Sequence, residues 1–323
     1  MPDEIEQRKS KHQLRMVRMF EQREKAKASV EAIEFQLEGA TIRGTFYRPE
    51  GLLGQLPTVV LANGWSMVTG GDLDDYAAVI VNRGFAALTF DFRGLGKSGG
   101  EPRQEIDPYK QIEDYRGAIS YVRSRPDVDP ERIGIWGTSY AGGHALSVAA
   151  LDRRVKCVVS QVPTISGFKA AQRRVSPDKA KVLRASFEAD REARFRAEPP
   201  ARLQIISADP NASVAYPGLD SFEYMGSEGE RSPWWKNEVT LRSLELARSY
   251  EPGAYISRIS PTPLLMIVAL DDGLTPADLQ QEAYSQAHDP KKLILLPGGH
   301  YSVYREHFET TSDAAASWFA EHL

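Results

Sequence analysis

Three observations place this 323-residue chain among α/β folds with a mostly parallel sheet, helices on both faces and a helical insertion late in the chain. Short apolar runs bounded by turn residues alternate with amphipathic stretches at helical spacing, which implies parallel strands joined by covering helices. One such run ends in Gly137-Thr138-Ser139-Tyr140-Ala141, where a strand must turn sharply into a helix. The alternation stops at Pro163 and resumes at Pro263, so the residues between do not build the sheet.

Taken in order, residues 1–28 hold eight Lys/Arg and five Asp/Glu around Leu14, Met16, Val17, Met19 and Phe20, which predicts a helical arm with a short apolar face. Such an arm packs on its own body or exchanges with a second copy of the chain to form a homodimer, and the composition leaves both readings open. Two alternating runs, 30–37 and 42–47, flank Glu38-Gly39 and predict a hairpin with one wet face. Residues 58–62 form the first fully apolar strand, followed by a helix over 72–83, a strand over 85–92 and a helix over 108–124 with Ile112, Tyr115, Ile119 and Val122 on one face. The strand leading to Ser139 comes next, then its helix, then a strand over 155–161.

Beyond Pro163, Ser176-Pro177 reads as a cap and first turn of a charged helix ending by Glu198-Pro199-Pro200. An aromatic-rich loop with Tyr216, Phe222, Tyr224, Trp234 and Trp235 precedes a helix over 238–249. Residues 164–261 are therefore expected to fold over the site as a cap. Its aromatics, Trp234 and Trp235 above all, either line a substrate pocket or pack the cap onto the body. Strands over 263–269 and 292–296, with a helix over 276–287 between them and one over 313–323 after, complete a core of residues 29–163 and 262–323.

Composition narrows the function classes. A net charge of −4 provides no field to gather nucleic acid or an anionic membrane. The lone Cys157 excludes internal disulfides and metal-thiolate sites, and its apolar surroundings predict an inert buried thiol. No apolar stretch approaches the ~20 residues that span a bilayer, and the N-terminal residues lack the hydrophobic run of a signal peptide. A cytoplasmic protein with no metal and no cofactor is the expectation.

A serine held at the tip of a strand-to-helix turn needs neighbours at −2 and +2 that are nearly free of side chain, and Gly137 and Ala141 meet that need. Gly96-Lys97-Ser98-Gly99-Gly100 fits the same spacing more literally, and its surroundings also imitate phosphate-binding loops. Every such reading requires a helix to begin at once. Gly100-Glu101-Pro102-Arg103 follows instead, so that stretch is expected to be a structural turn.

A serine hydroxyl needs a base, and histidine suits because its pKa lies near neutrality. Of six histidines, His300 alone sits on a glycine-rich loop, Pro297-Gly298-Gly299, at the end of a predicted sheet strand; His12, His144, His288, His307 and His322 lie in predicted helical or terminal segments. Negative charge on the attacked carbonyl oxygen needs backbone donors, one of which falls to Tyr140, immediately after the nucleophile.

The Gly137 to Ala141 turn resembles the nucleophile elbow of the α/β-hydrolase superfamily, with Ala141 in place of the usual second glycine. Asp91-Phe92-Arg93-Gly94 and the loops at Asp272 and His300 are typical of it, over a span from about residue 30 to the end. Residues 100–103, 113–115 and 137–140 are similar to the branch of dienelactone-hydrolase-like and Xaa-Pro-peptidase-like proteins and to fungal polyketide-pathway thiohydrolases and acyltransferases. The resemblance implies a triad in the order Ser139, Asp272, His300. Asp272 is preferred over Asp271 because such loops place the acid four residues before a proline, here Pro276. It also implies a second oxyanion donor at Trp65, after Asn63-Gly64, where Asn63 replaces the common histidine.

The expected activity is hydrolysis of a small-molecule carboxylic ester or thioester through an acyl-enzyme on Ser139. Peptidase, amidase, lactonase and acyltransferase chemistry use the same triad, and a non-catalytic ligand receptor on the same fold is the alternative from another class. Epoxide hydrolase and dehalogenase chemistry does not fit, since it needs Asp where this chain has Ser139.

Overall fold

The computed structural model describes Lys25 and residues 27–323. The N-terminal arm expected over residues 1–28 thus lies outside the described residues except at its end, where Lys27 leads into the first strand.

That strand, β1 (Ala28–Leu37), pairs antiparallel with β2 (Ala40–Pro49) across a two-residue turn. Glu38 and Gly39 both adopt positive φ (47° and 80°), the backbone that keeps a tight hairpin in step with the strand twist. Only Ile33 of β1 is buried, as expected of an edge strand with a wet face. β2 lies antiparallel to β4 (Ala86–Asp91), and the remaining strands run parallel: β3 (Leu56–Ala62), β5 (Val128–Thr138), β6 (Cys157–Gln161), β9 (Leu264–Ala269) and β10 (Lys291–Leu296). The sheet order is β1-β2-β4-β3-β5-β6-β9-β10. Every residue of β4, β6 and β9 is buried, which is why these segments read as unbroken apolar runs rather than alternating ones.

Helices α1 (Gly71–Asn82) and α9 (Phe308–His322) pack together as one covering layer, and α2 (Pro108–Ser124) with α3 (Ser139–Leu151) as the other. The Asp107 side chain caps α2 by accepting the N–H groups of Tyr109 and Lys110, and Pro108 supplies its first residue. Among the described residues no helix is long and apolar enough to cross a membrane.

Between the neighbouring strands β6 and β9 the chain leaves the sheet. It forms α4 (Gly167–Arg174), α5 (Pro177–Phe195), α6 (Leu219–Arg231), α7 (Leu241–Arg248), a two-residue ladder of β7 (Arg202–Leu203) with β8 (Val239–Thr240), and a 3-10 turn over Pro252–Arg258. The sequence reading found α5 and α7; α6 occupies part of what read as an aromatic loop. Helix α8 (Ala277–Gln286) then links β9 to β10.

The second serine turn proves structural. Ser98 is buried, donates to the Asp91 carbonyl at 2.5 Å and accepts the Arg43 N–H at 2.8 Å. The Asp91 carboxylate accepts the N–H groups of Thr69 and Lys97, which fixes the loop from beneath. Arg93 binds the buried Asp114 through its side chain at 2.7 Å, against a burial that pushes that carboxyl up to about 6.

Candidate active site

The site is assembled at the carboxyl ends of β3, β5, β9 and β10, where ligands of open α/β sheets bind. Strand β5 stops at Thr138, and Ser139 opens α3 with φ of +55°, a left-handed conformation that costs a non-glycine residue about 1–3 kcal/mol. The turn is too tight for a side chain at position 137, since a Cβ there would stand 2.1 Å from the Ala141 carbonyl oxygen. Ala141 itself fits with its methyl fully buried, so the departure from a second glycine is accommodated.

His300 stands on the turn after β10, in the 3-10 segment His300–Tyr304. Its Nε2 lies 3.0 Å from Ser139 Oγ and its Nδ1 2.7 Å from Asp272 Oδ2. Asp272 is buried, and its other oxygen accepts the N–H groups of Leu274 and Thr275, each at 2.9 Å. The Thr275 hydroxyl sits 2.7 Å from Asp272 Oδ2 and 2.9 Å from the carbonyl of Val162, a residue that also has positive φ. Thr275 thus ties the acid to the end of β6, a role the sequence reading missed; Thr at three residues after an Asp on a turn was the available signal.

Asp271 faces elsewhere. It is exposed, and its carboxylate accepts the Gly298 N–H at 3.1 Å.

The two expected oxyanion donors flank the serine. Tyr140 follows it in the first turn of α3, where backbone N–H groups have no intrahelical acceptor. Strand β3 pairs Ala62 with Gly137, which brings the following loop over Ser139: a Cβ on Gly64 would lie 3.1 Å from Ser139 Cβ. Trp65, next in sequence, lines the same cavity as Ser139 and Tyr140. The Tyr140 phenol points into protein, among His144 and Tyr250, and burial drives its pKa up. Among the other histidines, His144 is fully buried between Tyr250 Oη (2.8 Å) and Gln111 Oε1 (2.9 Å), and burial pulls it down to about 3, which keeps it neutral.

A cavity of about 720 Å³ opens above Ser139. Its floor is Ser139, Tyr140 and Thr275; its walls are Trp65, α4, α5, the loop at 210–217 and the end of α7. Trp65 and Tyr216 stand together on the wall with ring centroids 5.2 Å apart.

Neither Trp234 nor Trp235 lines this cavity, which corrects the expectation of a pocket role for them. Trp235 packs on Gly229 of α6, where a side chain would lie 2.4 Å from its ring, and Trp234 is exposed with Lys97 6.0 Å from its ring. Of the aromatics singled out in this insertion, Tyr216 is the one that meets the cavity.

The cap is docked close to the histidine. Tyr224 of α6 stacks on Tyr301, ring centroids 4.4 Å apart, and its hydroxyl donates to Asp72 of α1 at 2.7 Å. Arg231, at the end of α6, reaches Asp72, Asp75 and Glu228.

Residues 38–302 match the model of the X-Pro dipeptidyl-peptidase (S15) family. The chain is 30% identical over 303 residues to a polyketide transferase of Penicillium crustosum, covering 91% of this chain and 97% of that protein. A thiohydrolase of Eupenicillium brefeldianum is 30% identical over 277 residues, covering 84% and 87%. Among solved structures, the α/β hydrolase GrgF of Penicillium sp. sh18 superimposes with a TM-score of 0.78 at 26% identity, over 91% of this chain and 99% of that one.

Proposed function

This chain belongs to the X-Pro dipeptidyl-peptidase (S15) family, and from that premise and the geometry of its site we infer a serine hydrolase that cleaves a carboxylic ester or thioester through an acyl-enzyme on Ser139. The observation that carries the reading is the unbroken file from Ser139 Oγ through the His300 ring to Asp272, at 3.0 and 2.7 Å.

In this reading His300 Nε2 takes the hydroxyl proton as Ser139 attacks the carbonyl carbon, and returns it to the leaving alcohol or thiol as that bond breaks. Asp272 holds Nδ1–H and stabilises the imidazolium, its carboxylate fixed in place by two backbone N–H groups and the Thr275 hydroxyl. The N–H groups of Tyr140 and Trp65 receive the oxyanion. Water then repeats the sequence on the acyl-enzyme with His300 again as base. The relative named polyketide transferase supports a second reading, in which an alcohol takes the place of water in that last step.

A fluorophosphonate followed by peptide mapping tests the nucleophile. The expected product is a single adduct on Ser139 with Ser98 unmodified, and an adduct on Ser98 overturns the assignment. A panel of ester, thioester, lactone and aminoacyl substrates, run with and without an added alcohol, then tests the reaction. Burst release from esters or thioesters supports acyl-enzyme chemistry, while turnover confined to aminoacyl amides would replace this reading with a peptidase. Formation of a new ester in the presence of the alcohol favours transfer.

A further inference from the structure

The charged residues on the cavity wall are unevenly matched. Arg174, Lys179 and Arg248 line it, and Asp178 is the one carboxylate among the lining residues. Arg174 and Arg248 are the last residues of α4 and α7, two helices that pack side by side. The preceding residue, Arg173, makes a bidentate ion pair outward to Asp278 at 2.6 and 2.8 Å. Arg174 turns the other way, its guanidinium 5.5 Å from the Tyr216 ring on the cavity wall. Arg248 lies over Phe187 at 5.1 Å and gives one hydrogen bond to the Leu244 carbonyl.

Glu245, three residues before Arg248, is engaged elsewhere, facing Arg191 at 3.3 Å and Arg194 at 4.0 Å. Burial, and then the like charge of Arg174, lower the Arg248 pKa. Arg248 is partly buried and faces the like charge of Arg174, and neither guanidinium makes an ion pair with a carboxylate among the described residues, so an anion placed between them would relieve that repulsion. A helix-end dipole favours a cation at each of these positions. It does not account for both side chains lining the same cavity.

We propose that Arg174 and Arg248 form an anion subsite of the substrate cavity, selecting acyl substrates that carry a carboxylate or phosphate at a remove from the scissile carbonyl. The proposal rests on the acyl-hydrolase reading and deepens it. The wall gives the subsite its place: Trp65, beside the oxyanion position, touches Tyr216 at 5.2 Å, and Tyr216 touches Arg174 at 5.5 Å. An acyl chain or a leaving-group arm laid along these two rings brings its far end to the guanidinium pair. Arg presents a planar fork suited to either anion.

Two substrate pairs distinguish the sources. The p-nitrophenyl monoester of adipic acid against p-nitrophenyl hexanoate places the anion in the acyl tail; hexanoyl-coenzyme A against the hexanoyl thioester of N-acetylcysteamine places it in the leaving group. The readout is the ratio of kcat/KM, anionic over neutral, for the full chain and for Arg174→Gln, Arg248→Gln and the double variant. A ratio cancels any loss of folded protein, and Arg174 is exposed, so its substitution leaves the packing in place.

A fall of about tenfold or more in one of the ratios is expected, as for loss of a hydrogen bond to a charged group, and the arm that responds names the source. If the double variant leaves both ratios unchanged, the subsite is disproved while the hydrolase reading stands. If the unaltered chain turns over none of the four substrates, the hydrolase reading fails first.

Discussion

Asp272 Oδ2 stands 2.7 Å from His300 Nδ1, whereas the carboxylate of its neighbour Asp271 accepts the Gly298 N–H instead. Two adjacent acids at the end of β9 thus have different employments: one holds the imidazole, the other holds the loop that carries it. Asp272→Asn should lower kcat by about 10⁴-fold with the fold intact, because the amide favours the wrong tautomer. Asp271→Asn keeps an acceptor for Gly298 and should cost under about tenfold, since a charge that is not hydrogen-bonded to the ring acts only through screened electrostatics. Steady-state kinetics on both variants checks the assignment, and a reversal of the two effects would transfer the triad role to Asp271.

Tyr216 is expected to govern acyl-chain selection. Its ring lies on the cavity wall against Trp65, so Tyr216→Ala opens space there and should shift relative kcat/KM across an acyl series by about 10 to 200-fold. Trp234→Ala, an exposed position outside the cavity, should move all substrates alike. A chain-length profile that changed with Trp234 and not with Tyr216 would contradict the cavity as described.

The contrast between those two aromatics marks how far the sequence could be read. The central parallel strands were legible because both of their faces are buried, which leaves apolar runs such as 58–62 with little ambiguity. Ser139 and His300 were legible because each terminates such a run with small residues beside it. The cap was harder for local reasons. Helix α4 has only eight residues, and α6 contains Gly226 and Gly229, which weaken any helical reading. Gly229 is explained by a tertiary contact, the Trp235 ring laid on it, that no local pattern announces. Counting aromatics could not tell the Tyr216 phenol at the cavity from the Trp235 indole on Gly229, because both are partly buried.

Beside the Tyr224 hydrogen bond, docking of α6 on α1 includes one cation among three acids. Arg231 Nη1 lies 3.2 Å from Asp72 and 2.9 Å from Glu228, and Nη2 lies 2.5 Å from Asp75. Burial, with Asp72 beside it, raises the Glu228 carboxyl to about 8. A carboxyl whose folded pKa is raised binds its proton more tightly in the folded state, so its contribution to stability declines as pH rises from the unfolded value toward 8. Arg231→Met removes the guanidinium and should destabilise by about 3 kcal/mol near pH 8. The deficit should shrink at pH 5.5, where Glu228 is protonated. Urea unfolding at both pH values is the check, and a deficit independent of pH would show that the lost contacts of the Arg231 stem, not its charge, hold the helix.

His144 carries the opposite pH dependence. The ring is enclosed by Phe92, Tyr140 and Tyr250, with Nε2 directed at Gln111 Oε1 and Nδ1 at the Tyr250 hydroxyl, a pattern that satisfies the neutral ring: Nε2–H donates and Nδ1 accepts. With its pKa pulled to about 3 by burial, the folded state excludes a proton that the unfolded chain takes up near the ordinary value of about 6.5. Between those two values the unfolded state binds more protons, so stability rises with pH and is lost as pH falls. One group supplies a slope of at most about 1.4 kcal/mol per pH unit. His144→Phe forfeits both hydrogen bonds and is expected to be less stable at pH 7.5. Its stability should nevertheless fall less steeply between pH 6.5 and 4.5, by a difference approaching one proton. Because the same carboxylates titrate in both proteins, subtracting one curve from the other isolates the histidine, and parallel curves would mean that position 144 is not the buried neutral imidazole described.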